Sequence, residues 1–146
     1  MTHAIIVHGG AWDIPEESRE PHRRGCLEAA RLGNSVLERG GSALDAVQAA
    51  VMVMEADDAF DAGFGSVLNA DADIEMDAMV MEGEQLRIGS VAAIQAVRHP
   101  VVLARKVMEL SPHCMIVGEG ALRFARSIGM ETVTAKDLLT AREFDR

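Results

Sequence analysis

Short apolar runs, each broken by glycine or proline, divide this chain into a succession of compact elements. Ala4 to Val7 is a β-branched run halted by Gly9 and Gly10, which predicts a buried strand running into a loop of free backbone. Pro21 then opens a predicted helix with Leu27, Ala30, Val36 and Leu37 near one face and Gly40-Gly41 as its stop. Ser42 followed by Asp45 has the spacing of a capping box. From Ala43 to Met54 only Asp45 and Gln48 are polar, so the second helix is expected to be buried almost all round.

The period then shortens to two. Ile74 to Met81 and Leu86 to Ile94 read as strands joined by Glu82-Gly83-Glu84-Gln85, which predicts an antiparallel hairpin. Pro100 starts a helix with Leu103, Val107 and Leu110 at helical spacing, and Ser111-Pro112 ends it. Met115 to Val117 is a further short strand. Gly118 to Gly120 leads into a helix through Phe124 and Ala125 that stops at Gly129, and Thr134 with Asp137 caps a last short helix. The order β, α, α, β, β, α, β, α lacks the strict alternation of a nucleotide-binding α/β sheet.

Composition narrows the chemistry. A chain of 146 residues that is 49% hydrophobic can form one domain burying roughly 70% of its unfolded surface. With 3% aromatics and no Tyr, the core must come from aliphatic side chains and the nine Met. A net charge of -9 and only two lysines, Lys106 and Lys136, exclude a phosphate-binding surface for nucleic acid. No apolar stretch reaches the ~18 residues of a membrane span, and Met1-Thr2-His3 has no basic leader, so the cytoplasm is the expected location. Cys26 and Cys114 lack ligand or redox spacing and are expected to be reduced core residues.

Asp71, Asp73, Glu75, Asp77 and Glu82 match positions of a calcium loop. However, Met76 occupies the place that needs Gly, and the intervening Ala72, Ile74 and Ala78 alternate as a half-buried strand does. The histidines His3, His8, His22, His99 and His113 form no pair at zinc spacing, and His99 and His113 adjoin helix ends where capping is the ordinary role. Gly63-Phe64-Gly65 follows no strand, and G-x-S-x-G is absent, so dinucleotide binding and a serine elbow both fall away. Two glycine-bearing loops remain, His8-Gly9-Gly10-Ala11 and Asp61-Ala62-Gly63-Phe64-Gly65-Ser66. On their residues alone they are ordinary turns or places of close backbone approach.

Together with GGSALDAVQAAV at Gly40 to Val51, EMDAMVMEG at Glu75 to Gly83, IGSVAAIQAVRHPVVLARKVME at Ile88 to Glu109 and SPHCMIVGEGALRFA at Ser111 to Ala125, these loops carry a resemblance that covers nearly the whole chain. It resembles the plant-type asparaginase and isoaspartyl peptidase family of N-terminal-nucleophile hydrolases. The resemblance implies an α/β four-layer αββα sandwich, of which 1–140 would be the α-chain half and 141–146 the start of a linker before a self-cleavage site. It implies a threonine nucleophile at the start of a β chain, outside these residues, whose own amine serves as base.

The partners implied are that β chain, an (αβ)₂ assembly, and a small substrate: the side-chain amide of L-asparagine or a β-aspartyl dipeptide. By the same likeness His8, Gly9 and Gly10 lie near the scissile bond. Asp61 lies beside the nucleophile where the family usually has Asn, and Asp58 replaces a usual Pro. An Asn both donates and accepts hydrogen bonds whereas an ionised Asp only accepts, so substrate preference and processing are the properties this exchange touches. The resemblance further implies a structural Na+ held by the carbonyls of Met54, Glu55, Asp57, Phe60, Ala62 and Phe64, with no cofactor needed for the chemistry. Glycosylasparagine hydrolysis and a catalytically impaired binding protein are the alternatives left open.

Overall fold

The computed structural model describes residues 3–145. Its helices are α1 (Glu16–Glu38), α2 (Ala43–Glu55), α3 (Pro100–Leu110), α4 (Gly118–Ser127) and the single turn α5 (Ala141–Phe144). Its strands are β1 (Met76–Glu82), β2 (Arg87–Ile94) and β3 (Met115–Val117). The chain is mixed α/β. β1 and β2 form the expected antiparallel hairpin, and β3 joins β2 in parallel, giving the sheet order β1-β2-β3 with α3 as the crossover.

One face of the sheet is packed. Val91 and Ile94 of β2 meet Leu103, Ala104 and Val107 of α3 and Ala121 and Ala125 of α4, all at most 1% exposed. Gly89 lets α3 come close, because a methyl group there would run into the Ala104 carbonyl. α2 packs on α3 and β1, and α1 packs on α2. Pleating sends alternate side chains the other way. Met79 and Met81 of β1, Ile88 of β2 and Met115 and Val117 of β3 are 39–66% exposed.

Several expectations need correction. Among the described residues Ala4 to Val7 pairs with no strand: a strand needs a ladder partner, and Ile6 is instead 94% exposed while Ile5 wedges against Gly33. α1 begins at Glu16, five residues before Pro21, and its first turns are held by the pairs Glu16–Arg19 and Glu20–Arg23. Its buried face is His22, Gly25, Ala29 and Gly33, a stripe of mostly small residues; Leu27 is 57% exposed. Ala30, Val36 and Leu37 are half-buried, so only Leu27 departs from the expected face; the fully buried positions are small because the neighbouring helix and loop come too near for large side chains.

α2 buries only Ala46, Ala50 and Glu55 fully, and Val47 stays 41% exposed. Asp71 and Asp73 lie in a turn around the left-handed Ala72, their N–H groups donating to the Asn69 side chain, and the strand starts only at Met76. The Thr134–Asp137 cap closes a single 3₁₀ turn. Cys114 is exposed and Cys26 half-buried, and both are free thiols. Among the described residues the His99 side chain makes no cap bond, and His113 meets Ser111 Oγ through its main chain, the N–H donating and the carbonyl accepting.

Candidate functional site

The site is built where α2 ends. The Phe64 N–H donates to the Glu55 carbonyl at 2.8 Å and folds residues 55–64 into a closed loop. Gly63 is required there, since a Cβ would meet the Glu55 carbonyl oxygen. Inside the loop the Asp57 carboxylate accepts from Ala59 N–H at 3.0 Å, and the Ser66 hydroxyl donates to the Asp61 carbonyl at 3.2 Å. Asp61 itself sits at φ 51, in the left-handed region that a non-glycine residue occupies at some cost.

The His8–Ala11 loop lies against it. Gly9 packs so tightly that an added Cβ would stand 2.5 Å from Cys26 Sγ and 2.9 Å from the Phe60 ring, so only glycine fits. The Gly10 N–H donates to His8 Nδ1 at 3.2 Å, and His8 is exposed. Beneath them the His22 ring lies between Trp12, at 5.7 Å, and Phe60, at 5.4 Å. His22 Nδ1 donates to the Ser18 carbonyl at 2.8 Å, and Nε2 is buried and has no partner among the described residues.

A cavity of about 310 Å³ opens beside this cluster, lined by Trp12, Pro15, Glu17, Ser18, Asp61 and Arg142. Arg142 reaches in from α5, and its Nη2 donates both to the Asp61 carboxylate at 2.9 Å and to the Asp58 carbonyl at 2.7 Å. Its Nε donates to Glu143 at 2.6 Å, and the Glu143 carboxylate is buried. The loop is clipped a second time by Gly65 N–H donating to the Leu138 carbonyl at 2.7 Å.

On the inner side the Glu55 carboxyl, 2% exposed, accepts from the Val101 N–H at 2.8 Å and meets His99 Nδ1 at 3.1 Å. Burial pushes its pKa up to about 8, and burial likewise depresses that of His99. Both directions favour an uncharged pair with the proton on the carboxyl, donated to the ring.

The structure therefore brings Gly9 against the Phe60 ring, while Asp61 lines the neighbouring cavity with Trp12, which follows the glycine loop. The expected Na+ loop is a run of turns in which the carbonyls of Met54, Glu55 and Asp57 already accept N–H groups of Asp57, Phe64 and Phe60. Those of Phe60, Ala62 and Phe64 accept no main-chain hydrogen bond among the described residues. Each carbonyl has a second lone pair, so the existing hydrogen bonds leave all six oxygens able to accept a further contact. Sequence reasoning missed Arg142, the Glu55 carboxyl, and His22. For Glu55 a signal existed, an acid closing an otherwise apolar helix. Arg142 gave none, being 81 residues from its partner Asp61 in a polar tail.

The Asparaginase family model matches residues 1–146. The chain is 44% identical over 147 residues to the isoaspartyl peptidase/L-asparaginase of Bos taurus, covering 100% of this chain and 48% of that protein. To the isoaspartyl peptidase/L-asparaginase of Danio rerio it is 49% identical over 140 residues, covering 96% and 45%. To the plant-type L-asparaginase of Pyrococcus horikoshii it is 51% identical over 127 residues, covering 86% and 41%. The chain thus spans about half the length of the curated relatives it matches.

Proposed function

Because this chain belongs to the Asparaginase family, we propose that it is one half of an amide hydrolase acting on the side-chain amide of L-asparagine and on β-aspartyl dipeptides. The observation that carries this reading is the packing of the His8–Ala11 loop on the loop after α2, Gly9 against Phe60, next to an open cavity lined by Trp12 and Asp61. The nucleophile in this reading is a threonine that begins a second chain, released by self-cleavage of the precursor. Its hydroxyl oxygen attacks the amide carbon while its own amine takes the hydroxyl proton. The C–N bond then breaks, the nitrogen leaves protonated, and water resolves the ester. The present chain supplies no nucleophile. It supplies the wall: the glycine loop that lets main chain approach the scissile bond, and Asp61 beside the attacking residue.

The four-layer αββα sandwich follows from the same reading. The uncovered apolar face of Met79, Met81, Ile88, Met115 and Val117 supports it, being the surface that a second sheet would bury. A Na+ held by the carbonyls of Met54, Glu55, Asp57, Phe60, Ala62 and Phe64 would stiffen the loop that positions Asp61. An (αβ)₂ assembly completes the proposal.

The test is to express the full-length protein that contains this chain, record its intact mass, and assay ammonia release from L-asparagine and leucine release from β-Asp-Leu. Two species, one beginning with Thr, together with turnover of either substrate are expected. A single uncleaved mass with no turnover overturns the reading.

A further inference from the structure

We propose that Arg142 is a positioning residue for the candidate site: by bridging the Asp61 carboxylate and the Asp58 carbonyl, it holds the left-handed turn at Asp61 and counters that residue's charge. This rests on the reading of Asp61 as a wall of the active site.

Three observations converge on it. The turn at Asp61 is held in a sparsely populated backbone region (φ 51), and such a conformation persists only where its surroundings over-determine it. Arg142 supplies that constraint with one nitrogen, Nη2, donating to the carboxylate and to the carbonyl three residues earlier, so that both ends of the 58–61 turn are pinned by a single planar group. The guanidinium is oriented in its turn, because Nε is taken by the buried carboxylate of Glu143, whose helical turn begins at Thr140.

Charge gives the bridge its second role. A carboxylate beside a site that admits substrates bearing an α-carboxylate would repel that group, and a cation 2.9 Å away offsets that repulsion. Asp61 and Arg142 both line the same cavity, so the offset acts where a substrate would enter. A lysine at 142 would keep the charge but has no Nε–H for Glu143 to hold, so its single ammonium would be less firmly oriented toward the two oxygens.

The experiment uses the full-length protein with Arg142→Gln, Arg142→Lys, Asp61→Asn and the double variant Asp61→Asn/Arg142→Gln. Hydrogen exchange of the peptide spanning 57–66, which contains the Phe64 and Gly65 amides, reads the positioning directly and without any need for activity. Faster exchange is expected in Arg142→Gln, with an intermediate rate in Arg142→Lys. Kinetics read the charge: Arg142→Gln should raise KM for L-asparagine about tenfold with a smaller change in kcat, and the double variant should return KM to within about threefold of the Asp61→Asn single variant.

Unchanged exchange in Arg142→Gln overturns the positioning role. A double variant whose KM is no better than that of Arg142→Gln overturns the charge role and reduces Arg142 to a structural strut. Should the unaltered protein turn over neither substrate, the proposed function fails, while the exchange arm still decides whether Arg142 holds the turn.

Discussion

Glu55 shows how a single side chain joins the layers that support the site. It closes α2, its carbonyl anchors the 55–64 loop, and its buried carboxyl meets the first free N–H of α3 and the His99 ring. An ionised carboxylate there would bear a large desolvation cost, which is why burial pushes its pKa up to about 8 and the proton stays on it near neutral pH. Glu55→Gln preserves both bonds, with Oε1 accepting from Val101 and the amide N–H donating to His99 Nδ1. Urea unfolding should therefore place this variant within about 1 kcal/mol of the unaltered protein. Glu55→Ala orphans the Val101 N–H and opens a cavity, and should cost about 3 kcal/mol. Equal losses for the two variants would mean that an ionised Glu55 holds the junction. At this scale the sequence was only half legible. It singled out the loops that carry Gly9 and Asp61, but pairings such as Asp61–Arg142 and Glu55–His99 cross 81 and 44 residues and have no local signature.

The elements that were readable are those whose signals are local. The capping box of α2 forms as its spacing predicts, with Asp45 N–H donating to Ser42 Oγ and Ser42 N–H and Oγ donating back to the Asp45 carboxylate. The Ser42 hydroxyl foremost, then Arg105, holds the Asp45 pKa down at about 2. The ionised carboxylate therefore favours the folded state at every pH above its ordinary 3.8, and that contribution is lost as pH falls from 3.8 to about 2. Asp45 is 44% exposed, so solvent screens the effect to about 1 kcal/mol. Asp45→Asn should lower stability to urea by that amount at neutral pH, with the gap closing near pH 2; a gap that persists there would assign the loss to geometry instead of charge. The hairpin, α3 and β3 were equally legible because turn residues and period sufficed. The first strand and the fully buried positions of α1 were not. A strand is defined by a neighbour that the local sequence does not contain, and α1 buries Gly25, Ala29 and Gly33 because of what lies opposite them.

At the scale of the whole fold, the sheet has helices on one side only among the described residues. Packing α3 and α4 beneath β1, β2 and β3 leaves Met79 at 66%, Met81 at 52% and Met115 at 53% exposure, with Ile88 and Val117 completing the patch. A contiguous apolar sheet face of this kind drives association, and the matched relatives are about twice the length of this chain. The occupant we propose is the remainder of the same protein, laid down as a second sheet. Methionine chemistry can test this, because the thioether of an exposed Met is oxidised by peroxide much faster than that of a buried one. Met76 and Met108, 4% and 8% exposed on the helix-covered side, are internal references for slow reaction. In the full-length protein, mass mapping after a peroxide pulse should show Met79, Met81 and Met115 reacting as slowly as Met76 and Met108, within about threefold, because a second sheet packs at about 10 Å and excludes the reagent. Should the three outward methionines react about tenfold faster than the buried pair, the face is open in the assembled protein and no second sheet covers it.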